Sequence, residues 1–274
     1  MAKFYTNVYS RGDKIYLRGY TSDNRRVQDI IDYKPYMFLS SRRDGNTKYR
    51  TLDGRPVERM DFESISDARD FIKRYSDVSN VSIYGLNHFK YLYIYDKFHG
   101  ELDYDPSWIN VIGIDIETDS SDGFPDIAAA DKEITAITLS RRGEKVVLGY
   151  FDYKPKADNV HYIKCKDEWH LLNNFLKIWQ SGRYQPDILT GWNIEFFDLP
   201  YIVNRIKNVL GMAEAKKLSP WGILEERTVE IHGRENQAFT PAGISILDYL
   251  NLYKKFKFEQ QESYKLESIA EVEN

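Results

Sequence analysis

Apolar and polar residues alternate with a period of two over much of the first 60 positions. KFYTNVYS (3–10) and KIYLRGY (14–20) flank RGD, which predicts a hairpin. YKPYMFLSS (33–41) continues the strand pattern. The period then changes. In SISDARDFIKRYSD, residues Ile65, Ala68, Ile72 and Tyr75 fall at i, i+3, i+7 and i+10, the spacing of one helix face. YLYIY (91–95) reads as another strand. Periodicity is lost in DKFHGELDYDPS (96–107), which ends near Pro106. A domain boundary is placed there, giving an N-terminal domain over 1–105 and a second domain over 106–274.

The second part opens with the apolar run WINVIGIDIET (108–118). EITAITLS (133–140) and KVVLGYF (145–151) follow, separated by the turn RRGE, and predict an antiparallel meander of three strands. DEWHLLNNFLKIWQSG (167–182) is helical, with Trp169, Leu172, Leu176 and Trp179 on one stripe and Gly182 as its stop. DILTGW (187–192) is a short strand. LPYIVNRIKNVLG (199–211) is a second helix, whose Leu199, Ile202, Val203, Ile206, Val209 and Leu210 keep helical spacing between Pro200 and Gly211. GISILD (243–248) is a strand leading into the helical YLNLYKKF (249–256). The pattern is mixed α/β: a β-rich N-terminal domain, then a mixed sheet flanked by helices.

Composition narrows the class. Of the 274 residues, 42% are hydrophobic and 15% aromatic, enough for substantial cores, so global disorder is excluded. The one cysteine, Cys165, leaves no internal disulfide framework and fits a reducing compartment. MAKFYTNVYS has no apolar signal-peptide core, and no stretch reaches transmembrane length, so no membrane association is expected. Residues 1–59 carry 13 Lys/Arg against 7 Asp/Glu, a net of +6, whereas residues 105–274 carry 20 against 27, a net of −7. A polyanion partner at one end and carboxylate chemistry at the other are consistent with this asymmetry, as is a solvated charged surface. The five histidines show no HExxH spacing and no pairing with Cys165, and neither a phosphate loop nor a nucleophile elbow occurs.

The chemistry concentrates in GIDIETDSSDGFPD (113–126). Side chains at i and i+2 of a strand share a face, so Asp115 and Glu117 project together while Ile112, Ile114 and Ile116 take the core side. Two such carboxylates, about 7 Å apart by strand rise, repel unless water screens them or a cation lies between. Their hard oxygens suit Mg²⁺ or Mn²⁺, and an exposed acidic strand face is the competing reading. Asp198 ends TGWNIEFFD just before the second helix. The helix N-terminus favours its ionised form, as a ligand or as a simple cap. Asn193, Trp192, Phe196 and Phe197 precede it, an amide and aromatics that suit either a flayed single strand or a packed core.

These motifs resemble the exonuclease region of family B DNA polymerases. DIET resembles the first exonuclease motif and NIEFFD the second. DGFPD, ILTGWNIEFFDLPYIVNRIKN, AKKLSP, GISILDYLNLYKKF and SYKLESIAE are similar to segments of the replicative polymerases of large tailed phages. YKPYMF and LDGRPVERM extend the likeness towards the N-terminus. The resemblance implies an N-terminal domain followed by a ribonuclease-H-like 3′–5′ exonuclease domain, acting in the cytoplasm of an infected bacterium. It implies two divalent metals held by Asp115, Glu117 and Asp198. Phe124 is implied to stack on unpaired 3′-terminal bases, and Asn193 to hold the strand near the metals. A hairpin over residues 225–243, with His232, Gly233 and Arg234 at its tip, is implied to part primer from template, and a plain surface hairpin is the other reading of it.

The family's third motif, Tyr-x-x-x-Asp, does not follow Asp198 here, and the polymerase domains are not represented. The expectation is therefore low nuclease activity of this chain alone, with the remaining polymerase chain completing the site. A split gene and a partial chain are both compatible with that. A second function stands beside the first: a non-catalytic module that binds single-stranded DNA or messenger RNA, or docks to a polymerase. Arg11, Lys14, Arg18, Arg25, Arg26, Arg42 and Arg43 interleave with Tyr5, Tyr9, Tyr16, Tyr20, Tyr36 and Phe38, a pattern that suits RNA on a sheet face or a half-buried sheet with a solvated basic side.

Overall fold

In the computed structural model, RGD closes the hairpin between β1 (Phe4–Arg11) and β2 (Lys14–Tyr20). Arg11 pairs with Lys14, and Gly12 takes the left-handed φ of +58° that the tight turn requires. The structure describes residues 2–41, 47–231, 233–257 and 259–273. They form two units, Met1–Pro106 and Ser107–Asn274.

In the first unit, β3 (Arg26–Asp32) completes an antiparallel sheet in the order β1-β2-β3. A second, four-stranded sheet contains β4 (Tyr36–Ser40), β5 (Tyr49–Arg50), β6 (Pro56–Asp61) and β7 (Ile83–Tyr84), in the order β5-β6-β4-β7. Helix α1 (Ile65–Tyr75) starts at Ser64, whose hydroxyl accepts the Asp67 N–H. YLYIY is not a strand. It lies within helix α2 (Phe89–Lys97), which buries Phe89, Leu92 and Tyr93 and leaves Tyr91 and Tyr95 exposed. The five-residue window alternates like a strand, but the burial falls at i, i+3 and i+4 once Phe89 is included.

The second unit is built on β8 (Val111–Thr118), β9 (Ile134–Arg141), β10 (Glu144–Gly149) and β11 (Val160–Lys164), followed by helix α3 (Glu168–Trp179), β12 (Ile188–Gly191), helix α4 (Asp198–Val209) and the short helix α5 (Met212–Ala215). A hairpin of β13 (Leu224–Ile231) and β14 (Arg234–Pro241) precedes β15 (Ser245–Asp248), α6 (Tyr249–Phe256) and α7 (Leu266–Glu273). The sheet order is β11-β10-β9-β8-β12-β15. The β8-β9-β10 meander is antiparallel, while β11, β12 and β15 join by parallel pairings. The core lies between this sheet and α3 and α4. It contains Ile112, Ile114 and Ile116 of β8 together with Phe175, Trp179, Tyr201 and Ile202. On α3 the buried stripe is Leu171, Leu172, Phe175, Leu176 and Trp179. Trp169, expected on that stripe, is exposed at the edge of the arc in the first turn. Among the described residues no helix is long and apolar enough to cross a membrane.

Candidate active site

Strand β8 alternates as its sequence requires. Ile112, Ile114 and Ile116 are buried, and Asp115 and Glu117 are exposed on the opposite face. Beside it, β12 pairs in parallel through Val111, Ile112 and Gly113 and then leaves the sheet at Gly191. A Cβ at Gly191 would lie 2.6 Å from the Ile114 carbonyl oxygen, so only glycine lets the chain turn so close to β8. The turn that follows, residues 192–197, carries the chain into α4.

Asp248, at the end of β15, holds that turn. Its Oδ1 accepts the backbone N–H of Asn193 at 3.1 Å and that of Leu250 at 2.9 Å. Its Oδ2 accepts the N–H of Glu195 at 2.9 Å. Asn193 has φ of +61°, in the left-handed region that asparagine tolerates better than most residues. Its carbonyl accepts the Phe197 N–H at 3.0 Å. What the structure records of Asn193 is this backbone role.

Asp198 is the first residue of α4, and Phe197 is the N-cap, so Asp198 is not the capping residue. It is 3% exposed. Its Oδ1 reaches β8 and accepts the Ile116 N–H at 3.1 Å, between Asp115 and Glu117. Burial works against the helix N-terminus here. Loss of water, and then repulsion from Asp115, push its pKa up to about 7; the backbone hydrogen bonds oppose this without reversing it. Asp115 remains open to solvent on one side, yet the sheet beneath it removes enough water to raise its carboxyl as well. Repulsion from Asp115 thus adds to the effect of burial on Asp198.

Glu117 lies on the same face as Asp115, two residues further along. Among the described residues no group of three or more His, Cys, Asp or Glu side chains gathers in metal-binding geometry. The structure thus brings together Asp115 and Asp198 and leaves Glu117 beside the pair. As a donor set they are hard carboxylate oxygens, one of them buried with its charged form disfavoured, which suits a small divalent cation.

Phe124, 83% exposed on the loop after β8, faces Phe197 with ring centroids 5.6 Å apart; Phe197 in turn stacks on Tyr201 at 6.1 Å. The aromatic row therefore starts from α4 itself. Asp119, Asp122 and Asp126 are exposed loop residues, and Asp119 and Asp126 accept local backbone N–H groups. The β13–β14 hairpin is formed, with Ile231 paired to Arg234. His232 and the Arg234 side chain lie outside the described residues.

Asp248 was not assigned a site role from sequence. Its position ending an apolar strand, like that of Asp115 within β8, is the available clue, because sites in sheets of this kind collect at the carboxyl ends of parallel strands.

A mixed sheet backed by helices, with paired carboxylates on its central strand and on the helix after its parallel neighbour, defines an α/β domain of the ribonuclease-H-like class. Comparison with known proteins is specific: the model of the DNA polymerase family B exonuclease domain matches residues 75–269. The chain belongs to that family. It is 35% identical to the DNA-directed DNA polymerase of Escherichia phage RB69 and 32% identical to that of Enterobacteria phage T4. Each alignment covers all of this chain and 33% of the relative. The DNA polymerase catalytic subunit of Psittacid herpesvirus 1 is 27% identical over 58% of this chain and 15% of its own length. The chain thus spans about a third of the length of its phage relatives.

Proposed function

We propose that this chain provides the proofreading region of a phage family B DNA polymerase, in the cytoplasm of an infected bacterium. The second unit binds the unpaired 3′ end of a DNA strand and presents its terminal phosphodiester to Asp115 and Asp198 for hydrolysis. The carrying observation is the buried Asp198 carboxyl, anchored to β8 beside Asp115 and next in sequence to Phe197, whose ring packs on Phe124.

Asp115 and Asp198, with Glu117 at hand, would hold Mg²⁺ or Mn²⁺. Such a metal would polarise a phosphoryl oxygen and make an attacking water more acidic. The chain's own residues perform the rest. Phe124 offers an open ring face to a terminal base, and stacking of this kind tolerates any base. Asp248 holds the turn that carries Asn193, Phe197 and Asp198. Among the described residues two carboxylates, Asp115 and Asp198, converge; turnover by this chain alone is expected to be slow, with the remaining polymerase chain completing the site.

A 3′-labelled single-stranded oligonucleotide tests this. The expected result is binding without metal, and slow 3′ trimming with Mg²⁺ or Mn²⁺ that Asp115→Ala abolishes. Rapid trimming abolished by Asp115→Ala would overturn the dependence on a second chain. Trimming that survives Asp115→Ala would overturn the site.

A second reading concerns the first unit. A cavity of about 460 Å³ opens on the β5-β6-β4-β7 sheet, lined by Phe38, Tyr49, Tyr84, Arg50 and the exposed Leu52. Aromatic faces beside a cation suit a base of single-stranded RNA or DNA. The basic residues expected to do this are largely committed elsewhere. Arg18 is 0% exposed, Lys14 pairs with Asp32, Arg25 pairs with Asp23, and Arg42 and Arg43 lie outside the described residues. Tyr20 and Tyr36 are buried. Salt titration of RNA binding, with Tyr49→Ala as control, tests the reading; a flat salt response and no loss on substitution would remove it.

A further inference from the structure

Helix α4 carries four polar side chains on one face, Tyr201, Asn204, Arg205 and Asn208, and all four bond to the backbone of residues 127–132. Asn204 Nδ2 donates to Ile127 O at 2.9 Å, and Asn208 Nδ2 donates to Ala129 O at 2.8 Å. Arg205 Nη1 donates to Ala130 O at 3.0 Å. The Tyr201 hydroxyl donates to Lys132 O at 2.7 Å and accepts the Lys132 N–H at 3.1 Å. The strapped segment includes Ala130, buried and in the left-handed region with φ of +43°, a conformation that alanine adopts only when its surroundings impose it.

Phe124 lies three residues before the strapped segment. At the other end of α4 sit Phe197, against which Phe124 packs, and Asp198. One helix therefore fixes both the carboxylate and the loop that bears the stacking ring. Asn204 is buried, at 3% exposure, as is Tyr201 in the same strap, and the Asn204 Nδ2 also donates to Gln237 Oε1 of β14 at 2.7 Å. Gln237 Nε2 in turn donates to Glu226 Oε1 of β13 at 2.6 Å. With both its acceptors placed, the Asn204 amide has one orientation and the loop has one height above α4.

We propose that Asn204 is a positioning residue. Through Ile127 it sets the Phe124 ring at the height where a stacked 3′-terminal base brings its phosphodiester to Asp115 and Asp198. This rests on the reading of the second unit as a 3′-end site. Asn208, exposed at the far end of the same strap, contributes to the same placement more weakly.

The test uses the full chain in EDTA and a short single-stranded DNA with 2-aminopurine at its 3′ terminus. Stacking on Phe124 quenches the fluorophore, and a merely structural residue would not alter the quenching of the saturated complex. Phe124→Ala is expected to weaken binding by about tenfold or more and to remove the quenching. Asn204→Ala is expected to weaken binding by about threefold and to reduce the quenching at saturation. The double variant is expected to be no weaker than Phe124→Ala alone, since the two act through one ring. If Asn204→Ala does not fold by circular dichroism, Asn208→Ala carries the test, with a smaller loss of quenching expected. Wild-type quenching in the folded Asn204→Ala variant, or in Asn208→Ala where that carries the test, would overturn the inference, as would a double variant weakened by the full product of the two single losses. Unchanged quenching in Phe124→Ala would overturn the 3′-end reading itself, and the inference with it.

Discussion

Asp198 Oδ1 accepts the backbone N–H of Ile116 at 3.1 Å, joining the first residue of α4 to the position between Asp115 and Glu117, 82 residues earlier in the chain. The bond brings a third carboxyl to the acidic face of β8, and it does so inside the protein, where the charged form is costly. The pKa of Asp198 rises from 3.8 to about 7 as a result.

That shift has a definite sign for stability. Below pH 3.8 Asp198 is neutral whether the chain is folded or not. Between 3.8 and about 7 the unfolded chain releases the proton and the folded chain retains it, so stability falls as pH rises through this window and levels off above it. Asp198→Asn keeps an oxygen for the Ile116 N–H and does not titrate. In EDTA its Tm is expected to match wild type near pH 4 and to exceed it by roughly 5–10 °C at pH 8, for a stability gap of about 2–4 kcal/mol. Mg²⁺ at pH 8 is expected to raise the wild-type Tm more than that of the variant. Differential scanning calorimetry at the two pH values reads both effects.

Glu168 and Arg205 form a two-pronged ion pair between α3 and α4, at 2.7 and 2.6 Å, with the side chains 7% and 13% exposed. Glu168 Oε1 also accepts the Ile134 N–H at 2.7 Å. Arg205→Ala strands a buried carboxylate and is expected to cost about 3–5 kcal/mol in urea denaturation. Arg205→Lys keeps the charge without the planar fork and is expected to lose part of that.

Asp248→Ala leaves three backbone N–H groups without their acceptor, those of Asn193, Glu195 and Leu250. At about 1–3 kcal/mol for each unsatisfied buried group, the expected loss is several kcal/mol where water does not enter to replace the carboxylate. The amides of residues 193–195 are expected to lose hydrogen-exchange protection before the rest of the sheet.

Phe124 is 83% exposed and contributes little to the core. Phe124→Ala is expected to change stability by no more than about 0.5 kcal/mol. The same change is expected to cost about 1–3 kcal/mol in binding a single-stranded 3′ end, measured by fluorescence anisotropy. A loss of stability as large as the loss of binding would argue that the ring packs rather than binds.

The periodic parts of the fold were legible in the chain. The isoleucines and acids of β8 alternate because a strand sends neighbours to opposite faces whatever lies beside it, and α1, α3 and α4 keep helical spacing for an equally local reason. Local reading failed where the window was short. YLYIY alternates over five residues, and its helix shows only when Phe89 is counted. Local reading did not reveal the burial of charged residues such as Arg18 in β2 and Asp198 in α4.

By itself the sequence determined which residue types were available and which strand and helix faces they occupy, because those follow from backbone geometry over a few residues. The motifs DIET and NIEFFD placed the acids and aromatics at recognisable spacings. Only the tertiary structure decided which of them meet. Parallel pairing of β8, β12 and β15 sets Asp198 against Ile116 and Asp248 under the Asn193 turn, and Asn204 against Ile127. These contacts join segments 55 to 82 residues apart. Burial and mutual charge at such contacts set the protonation of Asp198, and neither quantity exists until the chain has folded.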